Sequence, residues 1–302
     1  MTETNTPSSK APSPLFSILI PTWNNLPFLK LCIESIERNS TYPHEILIHI
    51  NDGSDGTLEW VRSQHLDYRH TPTNVGICYA LNGLRPLVAT DYILYMNDDM
   101  YVCPGWDKAL ADEIERIGHK EFFLSSTLIQ PRSFFCKSVI APADYGQDAA
   151  TFDEQRLLAE YATLPHADWQ GATWPPNVVH RDMWDLVGGY SVELSPGMYS
   201  DPDFSAKLWH AGVRLFKGLS ASRVYHFEAR STQRIVKNDG STQFLRKWGI
   251  TSSSFMRDVL HRGEPFDSPS DHTCQLRRDI VRSRLKRLLT ALRDVHMRDI
   301  FR

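Results

Sequence analysis

Apolar and polar positions alternate along the first hundred residues in blocks of two periods. Phe16 to Ile20 is an apolar, β-branched run halted at Pro21, and from Leu26 to Arg38 the apolar positions fall at Leu26, Leu29, Ile33 and Ile36, a helical spacing. Glu45 to Ile50 repeats the strand signal and enters Asn51-Asp52-Gly53-Ser54-Asp55-Gly56-Thr57, a cluster of turn formers, before a helix around Leu58 to Gln64. A short strand near Tyr68 to His70, a helix from Ile77 to Leu87 and a strand from Tyr92 to Met96 complete the series. The alternation predicts an α/β fold with a mostly parallel sheet between helices, and such sheets bind ligands beyond the carboxyl ends of their strands. Thr22, Asp52 and Asp99 all fall there.

The last strand stops abruptly in Asn97-Asp98-Asp99. Adjacent carboxylates raise one another's pKa unless a cation or several donors lie between them. Mg2+ and Mn2+ relieve the repulsion, since they take oxygen ligands and complete their shells with substrate phosphates. The plainer alternative is a polar turn closing a strand.

Composition narrows the picture without naming a reaction. The 302 residues, 41% hydrophobic and 23% charged, suit a globular protein of one large or two modest domains. A net charge of -3 gives no reason to expect nucleic acid as a partner, and five Cys without a CxxC pair indicate neither a disulfide framework nor a zinc site. Residues 1–14, rich in Ser, Thr and Pro, are expected to be a disordered leader, neither signal peptide nor anchor. Cytoplasmic residence is the expectation, with contact at the inner face of the membrane as its extension.

Four stretches in order, FSILIPTWNNLPFLKLCIES (16–35), NDGSDGT (51–57), NVGICYALNG (74–83) and DYILYMNDD (91–99), resemble the nucleotide-binding half of family 2 glycosyltransferases of the GT-A fold. The resemblance extends over residues 15–235. It implies an inverting transferase that uses a nucleotide sugar and a divalent metal, Mn2+ or Mg2+. By that match Pro21, Thr22, Asn51 and Asp52 hold the base and ribose, Asp98 faces the ribose or the metal's water shell, and Asp99 binds the metal. Asn97 departs from the family's Asp-x-Asp pattern and has no assigned role. A carboxylate such as Asp52 can accept the N3–H of uracil or thymine; an Asx turn is the alternative for Asp52, and helix capping for Asp55.

Further along, Trp106 to Ile117 reads as a helix and Phe122 to Ile129 as a strand, whereas 131–169 has no clear period and is expected to be a variable acceptor region with a loop that can move. TWPPNVVHRDMWDLVGGYS (173–191) resembles the family's return across the sheet into a helix; a lone His180 there is expected to be structural. In SPGMYSDPDFSAKLWHAG (195–212) the resemblance places the general base on Asp201, with Asp203 as the alternative because Ser200 stands where the family commonly has Glu. Inverting transfer needs a carboxylate to take the acceptor hydroxyl's proton; helix capping is the competing role for both acids. Val224-Tyr225-His226 looks like the family's late strand ending in a metal-binding His. Arg230 and Arg234 are candidates for the diphosphate, Arg being suited to paired contacts with phosphate oxygens.

QFLRKWG (243–249) resembles a segment that follows the family's catalytic domain, and 275–296 forms a basic helix with an apolar stripe at Leu276, Ile280, Leu285, Leu288, Leu289, Leu292 and Val295. The expected division is a leader over 1–14, a transferase domain over 15–235 (nucleotide half 15–100, acceptor half 101–235) and a helical extension over 236–302. The basic helix suits either an anionic membrane surface or packing against the domain or a second subunit. The expected function is transfer from a UDP- or dTDP-sugar to a hydroxyl of a glycan or lipid-linked acceptor, in bacterial surface polysaccharide or glycoconjugate synthesis. A sugar nucleotidyltransferase fits less well, because Pro21-Thr22-Trp23-Asn24 replaces a glycine-rich phosphate loop; a non-catalytic nucleotide-sugar or glycan-binding module is the alternative from another class.

Overall fold

The computed structural model describes residues 13–133, 136–228, 238–267, 269 and 276–293. Its first strand, β1 (Phe16–Trp23), runs through Pro21 instead of stopping there. Pairing with β4 (Tyr92–Tyr95) ends at Leu19, and the Leu19 carbonyl, on the same edge as residue 21, accepts from the Met96 N–H. The missing N–H of Pro21 therefore falls where β4 no longer runs, and costs no ladder bond.

Three strand-helix units follow in the expected order: α1 (Leu26–Asn39), β2 (Glu45–Asn51), α2 (Thr57–Ser63), β3 (Asp67–Thr71) and α3 (Gly76–Leu84), then β4. β1 pairs in parallel with β2 and β4, and β2 with β3. Alternate residues of β1 enter opposite cores, Ile18 and Ile20 on the face of α1 and α4 (Trp106–Ile117), and Leu19 on the face of α3.

The second half adds β5 (Met100–Val102), α4, β6 (Phe122–Ile129), β7 (Val139–Ile140), α5 (Glu154–Glu160), β8 (Trp169–Gln170), β9 (Asn177–His180), α6 (Arg181–Val187), α7 (Ser200–His210) and β10 (Leu215–His226). The strand order is β3-β2-β1-β4-β9-β6-β10-β5, with β7 against β6 and β8 against β10. β9 lies antiparallel between β4 and β6, and β5 antiparallel to β10. The region without sequence period, 131–169, holds β7, α5 and the start of β8. Its Tyr145 and Leu157, both buried, pack with Tyr101, Tyr225 and Phe227, and Phe152 joins them.

Behind α7 come α8 (Gly240–Trp248), the single turn α9 (Ser252–Ser254), which continues as a π-helical turn over Phe255–Val259, and α10 (Leu276–Arg293). Buried Phe244, Phe255 and Leu260 share a core with Phe204 and Leu208 of α7, and Gln170 accepts from the Gly263 N–H and donates to the Glu264 carbonyl through its main chain. Residues 238–267 thus pack into the same body as the sheet. On α10, Ser283 is buried while Val281, Leu285, Leu288 and Leu289 are exposed.

Candidate active site at the carboxyl ends of the strands

The loops after β1 and β2 are laced together by short polar side chains. Asn24 adopts the left-handed region (φ 46°), as does Asp52 (φ 65°), a conformation Asn and Asp tolerate better than other side chains. The Asn24 amide donates to Asp52 Oδ2 at 2.8 Å and its Oδ1 accepts the Gly53 N–H at 2.9 Å. The bond from the Asn24 amide favours the ionised form and holds the Asp52 carboxyl below its ordinary range, with the Ser54 hydroxyl assisting. Asn51 is buried: its Nδ2 donates to the Thr22 carbonyl (3.2 Å) and its Oδ1 accepts the Val75 N–H (2.9 Å), binding three loops into one rim. Asp55 caps two helices, accepting from the N–H of Leu26 at the head of α1 and from the N–H and hydroxyl of Thr57 in α2. Pro21 is buried within β1.

Thr22 ties this rim to the acidic pair, its hydroxyl donating to Asp98 Oδ2 at 2.6 Å. Asp98 and Asp99 are both nearly sealed from solvent, at 8% and 5% exposure. Asn97 is oriented by the Tyr95 hydroxyl, which donates to its Oδ1 at 2.8 Å. The antiparallel register of β5 on β10 sets Met100 opposite His226, and the Phe227 N–H donates to the Asp99 carbonyl at 3.1 Å. His226 Nε2 consequently lies 3.4 Å from Asp99 Oδ2. Burial disfavours the charged imidazole, but the carboxylate of Asp99 outweighs it and holds the His226 pKa above its ordinary value.

These two side chains fit a divalent ion. His226 Nδ1 is 2.9 Å from the Gln130 Nε2, while the other amide atom, Gln130 Oε1, is buried with no partner among the described residues. Turning the Gln130 amide over, an assignment that rests on the hydrogen-bond network, lets Nδ1–H donate to Oε1 and leaves the Nε2 lone pair free beside Asp99. Carboxylate and imidazole together suit Mn2+. Among the described residues no three of His, Cys, Asp and Glu converge on one point, so the remaining ligands would be phosphate oxygens and water.

Asp201 enters from the first turn of α7. Its Oδ1 is sealed from solvent and has no hydrogen-bond partner among the described residues. Burial pushes the carboxyl up to about 7, with the Tyr190 hydroxyl, close by but outside hydrogen-bond geometry, pulling the other way. The Tyr95 hydroxyl feels both this acid and the pair that follows β4: burial first, and then the charges of Asp201, Asp99 and Asp98, hold its pKa well above the ordinary value. Asp203, two residues on, is fully buried and turned into the protein. It accepts from the Ser191 hydroxyl (2.6 Å), the Trp248 indole N–H (2.8 Å) and the Lys247 ammonium (3.0 Å), and so fastens α7 to α8. Removing one member of such a buried set strands the others. Asp203→Ala is expected to cost about 3 kcal/mol of stability in urea unfolding; unchanged stability with transfer abolished would make Asp203 the base.

His180 lies elsewhere. It pairs with Tyr92 at the amino end of β4, caps α6 by accepting the Asp182 N–H through Nδ1, and has its pKa lowered by burial. Arg230 and Arg234 are outside the described residues. Sequence reading passed over Asn24, Tyr95 and Gln130. Gln130 had a usable signal: it is the polar residue at which the buried strand β6 ends, the pattern that drew notice to Asn97-Asp98-Asp99.

Residues 17–166 match the family model for glycosyl transferase family 2. No curated protein matches the chain. Solved structures similar in fold include GalNAc-T7 with UDP, GalNAc and Mn2+ (TM-score 0.55, 14% identity, covering 81% of this chain and 50% of that one). Two others are S. aureus TarS 1-349 in complex with UDP-GlcNAc (0.55, 14%, 78% and 65%) and S. aureus TarS (0.54, 16%, 78% and 39%). The chain therefore spans less than two thirds of each of these structures. With the motif loops gathered at one rim and the family match running from β1 past α5, the chain belongs to the family 2 glycosyltransferases, with the GT-A fold.

Proposed function

We propose that the protein transfers a sugar, with inversion, from a UDP- or dTDP-sugar to an acceptor hydroxyl. The observation that carries this reading is the buried carboxyl oxygen of Asp201, without a hydrogen-bond partner among the described residues, whose charge reaches the same Tyr95 hydroxyl as those of Asp99 and Asp98. A carboxyl titrating at about 7 is well placed as a base at neutral pH. Asp201 takes the acceptor's proton, the freed oxygen pair forms the new bond to the anomeric carbon, and the bond to the diphosphate breaks on the opposite face. The nucleoside diphosphate leaves with that electron pair. Asp52 and Thr22 position the base and ribose, and Asp99 and His226 would hold the Mn2+ or Mg2+. A bound divalent ion neutralises charge on the leaving diphosphate.

The fold neighbours with UDP and UDP-GlcNAc support UDP as the nucleotide. A role in bacterial surface polysaccharide or glycoconjugate synthesis belongs to the same reading. The exposed row Val281, Leu285, Leu288 and Leu289, among the cationic residues of α10, favours contact with an anionic membrane surface. No helix among the described residues is long and apolar enough to cross a membrane.

Incubation with UDP-sugars, Mn2+ and a panel of glycan and lipid-linked acceptors, read by NMR at the anomeric centre, tests the proposal. Transfer with inverted configuration is expected. Pyrophosphate formation from a nucleoside triphosphate would point to a nucleotidyltransferase, and donor binding without turnover across the panel to a binding module.

A further inference from the structure

A second cavity, of about 410 Å³, opens between the head of α7, the start of α8, α9 and α10. Its chemistry differs from that of the strand-end site. Its wall carries three cations, Arg257, Arg282 and Lys286, and a group of hydroxyls that includes Ser241 and Thr242 in the first turn of α8, but no carboxylate among the described residues. Arg257 is paired with Asp258 at 2.6 Å. Arg282 and Lys286 stand four residues apart on α10, flanking the buried Ser283, and have no carboxylate partner among the described residues. Like charges at that spacing repel, and an anion between them converts the repulsion into two charge-assisted hydrogen bonds. The positive end of α8 adds to the attraction.

The cavity adjoins the acceptor side of the site. Tyr199 forms part of its wall, two residues before Asp201. The start of α8 presses on the same segment: a Cβ on Gly240 would lie 2.5 Å from the Met198 carbonyl oxygen and 2.8 Å from Tyr199 Cδ2. The volume exceeds what a single ion fills, and hydroxyls with cations suit a group rich in acceptor oxygens and negative charge.

We propose that this cavity binds a phosphate or diphosphate group carried by the acceptor, and so holds the acceptor beside Asp201. The assignment to the acceptor rests on the transferase reading above. The phosphate has two chemical sources, the headgroup of a lipid-linked acceptor or a phosphate on a soluble one. The apolar row on the outward face of α10 is compatible with the first.

The test is calorimetric titration of inorganic pyrophosphate into the full chain with chelator present, so that metal-dependent binding at Asp99 is silent. Saturable binding is expected, weakened at least about tenfold in the double variant R282Q/K286Q, with Mn2+-dependent UDP binding unchanged in that variant. Absence of pyrophosphate binding to the wild type, or equal binding by the double variant, overturns the proposal. UDP failing to bind the wild type while pyrophosphate binds overturns the donor reading and leaves the cavity as an anion site. Phosphatidylcholine vesicles with and without phosphatidylglycerol separate the sources. Pyrophosphate that displaces the protein from the anionic vesicles assigns the cavity to a lipid headgroup; pyrophosphate binding without displacement assigns it to a soluble phosphate.

Discussion

Asp201→Asn is expected to slow sugar transfer about 100- to 10,000-fold, the usual contribution of a positioned base, while UDP affinity stays near the wild-type value. The amide keeps the shape of the carboxyl and removes only its capacity to take a proton. A second, opposite effect accompanies it. The Asp201 carboxyl titrates at about 7 in the folded protein against an ordinary 3.8. Its folded pKa is raised, so the folded state holds the proton more tightly, and stability falls as pH rises from about 4 to about 7 while the unfolded chain ionises first. Above pH 7 the buried charge burdens the fold in full. Asp201→Asn removes that burden, and thermal unfolding at pH 8 should show the variant more stable by something on the order of 1 to 3 kcal/mol, with the gain vanishing near pH 4. A dead but stabilised variant separates lost chemistry from lost structure. The wild-type rate should fall below pH 7 as Asp201 becomes protonated. Near-normal transfer by Asp201→Asn would sink the assignment.

The first hundred residues were readable in the sequence because their elements follow two clean periods and each strand ends in polar residues. α4 and β6 were legible for the same reason, down to their terminal residues. Legibility failed where tertiary contacts decide. Pro21 looks like a stop, and only the end of β4 beside it shows why β1 continues. The three-residue β5 has too little pattern of its own; its register against β10 makes it a strand, and that register sets Asp99 against His226. Asp201 and Asp203 are equivalent on paper, two acids in one helical turn. Their difference lies in partners contributed from distant parts of the chain: Ser191, Lys247 and Trp248 surround Asp203, and none of them reaches Asp201. Resemblance could name the helix, but burial and hydrogen bonding distinguish the acid that is fully engaged from the one that is not.

Asp99→Ala is expected to weaken Mn2+-dependent UDP binding by more than about 100-fold, because loss of even an outer partner of a metal ligand costs about 10- to 100-fold. The fold should survive the change. Alanine gives up the carboxylate's contact with His226 but keeps the main-chain tie beside it, the Asp99 carbonyl accepting the Phe227 N–H. Donor binding measured in chelator should be the same in variant and wild type, since the contacts proposed for Asp52 and Thr22 with base and ribose do not involve residue 99. Titration of UDP with and without Mn2+ therefore reads the side chain's role as the difference between two affinities in one protein. If Asp99→Ala retains the full metal-dependent gain, the ion is held elsewhere. Equal loss in chelator and in Mn2+ would instead mean that the loop itself has collapsed. Only loss confined to the Mn2+ arm assigns Asp99 to the metal, and His226→Ala should reproduce it, because the Asp99 carboxylate and the His226 imidazole face each other across 3.4 Å.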